Sequence, residues 1–108
     1  MTDRTPLPVA CTLSEPDLAR RRASLFSDLA RRQQEVRWLA EGVTLRYSPE
    51  QGTLALLGEF IQLESQCCPF LHFRLTVEPG GGPVWLELTG PPGTRDFLAQ
   101  EIGGSAVT

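Results

Sequence analysis

The chain of 108 residues contains no lysine and only one histidine, His72, and all ten of its basic residues are arginines. The absence of lysine excludes Schiff-base chemistry and a phosphate-binding loop of the Walker type, since both need a lysine amine. A single histidine excludes every metal site that is built on several imidazoles. The three cysteines are therefore the main candidates for metal or nucleophilic chemistry.

Long hydrophobic runs are also absent. The longest apolar stretches, such as Leu54–Leu57, are far shorter than the roughly 18 residues that a membrane-spanning helix needs. Residues 1–8 include the charged Asp3 and Arg4 and have no apolar central region, which is atypical of a secretory signal. We therefore expect a cytoplasmic protein with no membrane partner.

The composition is that of a folded domain. Hydrophobic residues make up 41% and charged residues 21% of the chain, and the formal net charge is −3. These values predict a single domain over residues 1–108, with an ordered core at about 9–102 and loose termini at 1–8 and 103–108. The negative charge argues against direct binding of nucleic acid, which requires a basic surface.

Hydrophobic periodicity and helix signals predict the order β-α-β-β-α-β-β-α. This order indicates an α+β fold, in which a mostly antiparallel sheet has helices packed on one face. The predicted elements are a strand at 9–13, a helix that begins at Ser14–Asp17 and ends near Gln34, a hairpin over 36–47, a helix from a Ser48 cap to near Cys68, strands at 70–77 and 84–89, and a helix at about 94–102.

Two of these elements carry more detailed predictions. In the first helix an apolar stripe of Leu18, Leu25, Phe26 and Leu29 should face the core, while the arginines, including the run Arg20–Arg22, should line the solvated side. In the hairpin a two-residue turn at Glu41-Gly42 pairs Ala40 with Val43, Trp38 with Leu45, and Val36 with Tyr47. The competing interpretation extends the first helix through Trp38 and has no hairpin.

The most specific local pattern is Glu64-Ser65-Gln66-Cys67-Cys68-Pro69-Phe70. Pro69 disfavours helical geometry in the residue before it, so the second helix should end near Cys68. On a helix, Glu64 lies one turn before both Cys67 and Cys68. The spacing therefore predicts one carboxylate and two thiols together at a helix C-terminus.

This location favours a cation over a nucleophilic thiolate. The partial negative charge of a helix C-terminus, together with Glu64, should raise the pKa of both thiols. Catalysis by a cysteine nucleophile is thus not predicted, and thioredoxin-like chemistry would also need a Cys-x-x-Cys spacing. Glu64 could act as an acid or base in an enzyme, but no substrate pocket can be identified from the sequence. Thiolates do bind soft metal ions, which displace the thiol protons.

Cys11 is the candidate third sulfur, because it lies on the inward face of the predicted first strand. Three sulfurs suit a trigonal or two-coordinate soft metal better than tetrahedral zinc, although Glu64 or His72 could supply a fourth ligand. His72 lies on the outward strand face and is typical of a solvated residue. The alternative is that the cysteines are buried structural residues that act as small hydrophobic side chains.

Several of these residues resemble a family of short bacterial proteins. The resemblance rests on Ala10-Cys11-Thr12-Leu13, on Glu64-x-x-Cys67-Cys68-Pro69-Phe70 and on Leu88-Thr89-Gly90-Pro91. The proteins of this family are similar to segments that lie beside, or are fused behind, heavy-metal-responsive regulators of the mercury-resistance type. The resemblance implies a mercury or heavy-metal context and makes Cys11, Cys67 and Cys68 the positions to carry over. It implies no DNA-binding role for this chain and no established reaction.

The leading hypothesis is a small cytoplasmic protein that binds a soft metal ion, Hg(II) in preference to Zn or Cu, as an accessory of metal resistance. Cys67 and Cys68 are the predicted ligands, Cys11 assists them, and Glu64 is a weak ligand or an orienting group. A metal-responsive regulator or a second copy of the chain is the expected partner. The alternative is a non-catalytic interaction or ligand-sensing module whose buried cysteines are structural.

Overall fold

The computed structural model describes residues 15–103, which form a four-stranded sheet and three helices. The predicted α+β class is confirmed for this part of the chain. The predicted strand at 9–13, with Cys11, lies outside the described residues. The elements are α1 (Pro16–Ala30), β1 (Gln33–Leu39), β2 (Gly42–Tyr47), α2 (Thr53–Cys67), β3 (His72–Val77), β4 (Val84–Thr89) and α3 (Thr94–Gly103).

The sheet has the order β1-β2-β4-β3, and each neighbouring pair of strands is antiparallel. Successive side chains of β4 point to opposite faces of the sheet, so Val84, Leu86 and Leu88 share one face, as predicted. All three are buried. The helices cover this face, so that one core joins sheet and helix residues. Its helix side chains are Leu25, Leu29, Leu57, Phe60, Leu63 and Leu98.

Helix α1 begins as the sequence predicts but ends earlier. The Glu15 side chain caps it by accepting a hydrogen bond of 2.8 Å from the Leu18 N–H, while Ser14 lies outside the described residues. The helix ends at Ala30 and not near Gln34, because Gln33 already pairs with Tyr47 in the sheet. Strand β1 continues to Leu39, which also excludes a helix through Trp38.

The hairpin exists, but its predicted register is wrong by two residues. Leu39 pairs with Gly42 and Trp38 with Val43, so the two-residue turn is Ala40-Glu41. The physical reason is Gly42, which is needed against β4: a Cβ at this position would lie 2.2 Å from the Leu88 carbonyl oxygen. A shift by two residues preserves the face that each side chain occupies, so the predicted inward face of β2 is correct.

Helix α2 begins five residues later than its predicted cap at Ser48. The Ser48 N–H donates to the Arg32 carbonyl, and its hydroxyl donates to Glu50, so Ser48 belongs to the connection after β2. The N-cap is Gly52, whose φ of 93° is the left-handed conformation that glycine adopts without strain. The end of α2 at Cys67, with Cys68 as C-cap, agrees with the prediction from Pro69.

The helices leave the outer edge of the sheet uncovered. Leu75 and Val77 of β3 are paired with the inward residues Leu86 and Val84, yet they are 39% and 54% exposed. Leu54 of α2 is 47% exposed, and it lines the same surface cavity as Val77. Within residues 15–103, none of the helices has the length and apolar character needed to cross a membrane.

Candidate metal centre

The predicted cluster forms at the C-terminal end of α2. Glu64 and Cys67 lie on the buried face of the last helical turn, and Cys68 follows as the C-cap. The Cys68 N–H donates a 2.7 Å hydrogen bond to the Glu64 carbonyl, which keeps Cys68 in line with the helix. The helical spacing of three and four residues thus brings the three side chains together.

The distances within the cluster are short. The Cys67 Sγ lies 3.5 Å from the Glu64 Oε2, and the Cys68 Sγ lies 3.5 Å from the Glu64 Oε1. The two sulfurs are 3.8 Å apart, compared with about 2.05 Å in a disulfide, so they are not joined to each other. Each thiol can donate its proton to one oxygen of the same carboxylate.

The same spacing fits a shared metal ion. Two sulfurs that bind one tetrahedral ion at about 2.3 Å lie about 3.8 Å apart, and a sulfur and an oxygen on that ion lie about 3.5 Å apart. One ligand atom from each of Glu64, Cys67 and Cys68 falls within 4.8 Å of the other two. The three side chains are therefore close enough to bind a single ion.

Arg22 of α1 adds a charge that the sequence analysis did not assign to the site. Its guanidinium forms an ion pair with Glu64 through Nε and also lies 2.8 Å from the Glu101 Oε1 of α3. Burial lowers the pKa of Arg22, but the hydrogen bonds that it donates to Glu64 and Glu101 outweigh burial and raise this pKa above its ordinary value. The cluster therefore holds a permanent cation between two carboxylates.

The prediction that the whole arginine run of α1 is solvated is wrong for Arg22, whose side chain is only 16% exposed. Arg22 is four residues after Leu18 and three before Leu25, so it lies within the apolar stripe. This spacing is the signal that could have identified it. Its guanidinium also lies over Phe26, with the guanidinium carbon 4.6 Å from the ring centre.

Apolar side chains enclose the sulfurs. Cys67 is 1% exposed and Cys68 is 0% exposed, and both form a buried cluster with Phe70. Leu71 and Phe97 pack against this cluster. A cavity of about 10 Å³, at the lower limit of what can hold one water molecule, adjoins Glu64 and Arg22. A metal ion therefore reaches the sulfurs only when the covering side chains move.

One predicted ligand among the described residues, His72, is not part of this group. His72 is exposed at the start of β3, and the potential metal-binding group found among the described residues consists of Glu64, Cys67 and Cys68. Cys11 lies outside the described residues. Comparison with protein-family models, with curated proteins and with solved structures finds no match for this chain.

Proposed function

We propose that this chain binds a soft heavy-metal ion, Hg(II) first, through the thiolates of Cys67 and Cys68. The observation that carries the proposal is the pair of sulfurs 3.8 Å apart, each 3.5 Å from the Glu64 carboxylate. Thiolates prefer soft ions, and a pair of them on adjacent residues can bind one ion together. Cys11 enters the proposal as the third sulfur, on the basis of the sequence.

The charges at the site favour a dication. Metal binding releases the protons of the coordinating thiols. Exchange of two protons for one dication leaves the net charge of the site unchanged, while Arg22 continues to balance the buried Glu64. A monovalent ion bound to two thiolates would add one uncompensated negative charge to an interior that disfavours it. The charge balance thus supports Hg(II) over Cu(I).

The proposed biological context is the one that the sequence resemblance implies. The protein acts in the cytoplasm as an accessory of heavy-metal resistance, and it delivers or withholds the ion for a metal-responsive regulator or for a second copy of the chain. This context depends on metal binding, which can be measured first.

Native mass spectrometry of the full chain with one equivalent of Hg(II), in competition with a small thiol, tests the proposal. The wild type should retain one ion, and the Cys67→Ser/Cys68→Ser double variant should lose it. Serine is nearly isosteric with cysteine but lacks a soft donor atom, so the comparison isolates the sulfurs. Equal retention by the two proteins would contradict the proposal.

A second candidate function is supported by the burial of the sulfurs. Cys67, Cys68 and Phe70 form an apolar cluster, as expected when cysteines serve as small core residues of an interaction or ligand-sensing module. This candidate predicts that each Cys→Ala change lowers the free energy of unfolding by about 1–2 kcal/mol and leaves partner binding intact. It also predicts no retention of Hg(II) against a small thiol.

A further inference from the structure

We propose that Arg22 makes the Cys67–Cys68 pair selective for ions that need only sulfur ligands, because it holds the Glu64 carboxylate as an ion-pair partner and prevents it from binding the metal. The inference rests on the proposed function and assigns a selectivity residue to the same site. It concerns the choice between Hg(II), a soft ion that sulfur ligands alone satisfy, and Zn(II), which takes four ligands and accepts carboxylate oxygen among them.

Arg22 occupies both oxygens of Glu64. Its Nε pairs with Oε2, and one terminal nitrogen lies 3.3 Å from Oε1. These are the same two oxygens that lie 3.5 Å from the sulfurs of Cys67 and Cys68. The carboxylate is therefore at the right distance to bind an ion shared with the sulfurs, and it is already engaged by a cation.

Arg22 is also anchored independently of Glu64. It pairs with Glu101 of α3 at 2.8 Å and packs over the ring of Phe26. The side chain of Glu64 is 3% exposed, so bulk solvent compensates its charge poorly if the pair is broken. An ion that recruits Glu64 must separate a buried ion pair, which is strongly unfavourable. An ion that binds the sulfurs alone leaves this pair intact.

The test compares the full-length wild type with Arg22→Gln, using Zn(II) alone against a competing chelator and Hg(II) alone against a competing small thiol. In the variant the carboxylate is released, so the affinity for Zn(II) should rise by about tenfold or more. Retention of Hg(II) should change by less than about threefold. The matched control is Arg21→Gln, which removes an exposed ion pair with Glu59. It should change neither the affinity for Zn(II) nor the retention of Hg(II).

An unchanged ratio of the two affinities in Arg22→Gln would overturn the inference. An equal loss of affinity for both ions would also overturn it, since that result identifies Arg22 as a structural support only. Arg22→Lys supplies a graded check, because lysine keeps the charge but cannot hold both oxygens of Glu64. It should raise the affinity for Zn(II) by less than Arg22→Gln does.

If Arg22→Gln does not fold, Glu64→Gln keeps the inference testable, because it examines the premise that Glu64 is not a ligand. With Arg22 present, Glu64 is not a ligand, so this variant should keep Hg(II) retention within about threefold of the wild type. Loss of Hg(II) from Glu64→Gln would overturn the inference. Failure of the proposed function gives a different result from failure of this inference, because the wild type itself then retains no Hg(II) against the small thiol.

Discussion

Phe97 of α3 packs edge-on against Phe70, with the ring centres 5.1 Å apart and the rings at 86° to each other. Phe70 belongs to the buried cluster of Cys67 and Cys68, and Phe97 is the helix residue that covers it from the side of α3. The pair therefore forms part of the wall between the sulfurs and solvent.

Phe97→Ala should accelerate reaction of the buried thiols with a labelling reagent by about tenfold under native conditions. The aromatic contact contributes about 1–1.5 kcal/mol to the closed state, and 1.4 kcal/mol corresponds to a factor of ten in the open population. Stopped-flow labelling of the full chain measures this rate. Uptake of Hg(II) should accelerate by the same factor if the ion uses the same opening.

Val36→Ala is the control for general destabilisation. Val36 of β1 packs against the main core and not against the cysteine cluster, so its truncation should lower stability without a specific effect on labelling. If the acceleration in each variant is no larger than its loss of global stability predicts, the thiols react only through complete unfolding.

Gly42→Ala should destabilise the fold, whereas Gly58→Ala should stabilise it slightly. A Cβ at Gly42 would clash with the backbone of β4 at the Leu88 carbonyl, and strands cannot separate without loss of their hydrogen bonds. We expect a loss of at least about 2 kcal/mol in the free energy of unfolding. Gly58 lies exposed within α2, and an added Cβ there would have no atom within 4 Å. Alanine at this position should therefore raise the free energy of unfolding by about 0.5–1 kcal/mol.

Urea unfolding of the two glycine variants measures both effects. The comparison is matched, because the same methyl group is added in each case and only the surroundings differ. A Gly42→Ala protein as stable as the wild type would contradict the close approach of Gly42 to β4.

Stability should fall at alkaline pH because of Tyr47. Burial raises the pKa of Tyr47 above its ordinary value, so the phenol stays neutral in the folded chain while the unfolded chain ionises near pH 10. The contribution of Tyr47 is therefore complete below about pH 10 and is lost as the pH rises further. The free energy of unfolding should decrease by up to about 1.4 kcal/mol per pH unit in this range.

The chain has one tyrosine, so phenolate absorbance reports Tyr47 alone. Titration of the folded protein should show no phenolate until well above pH 10. Tyr47→Phe is the control, since it keeps the ring and lacks the ionisable hydroxyl. The difference in the pH dependence of stability between wild type and variant separates the contribution of Tyr47 from that of the thiols. An absorbance change centred at pH 10 in the folded protein would contradict the raised pKa of Tyr47.

The elements of the fold could be predicted where local pattern and tertiary environment agree. Alternation in β4 identifies its buried residues, and Pro69 fixes the end of α2 near Cys67. The register of the hairpin could not be predicted, because the need for Gly42 arises from β4, which lies more than 40 residues further along the chain. The exposure of Leu75 likewise depends on how far the helices extend over the sheet.

The candidate site was predictable only in its local part. The spacing of Glu64, Cys67 and Cys68 on one helix places them together without any knowledge of the fold. Arg22 and Glu101 come from α1 and α3, so their arrival at Glu64 depends on helix packing that no short pattern encodes. The stripe position of Arg22 indicates burial but does not indicate its partner.

Mercury X-ray absorption of the full chain loaded with one equivalent of Hg(II) tests the central claim most directly. The account predicts a first shell of sulfur atoms alone, with at least two sulfurs in the wild type and in a Cys11→Ser variant. In Cys67→Ser/Cys68→Ser this shell should lose its paired sulfurs. A sulfur shell that persists unchanged in the double variant, or a wild-type shell dominated by oxygen or nitrogen, would contradict the account.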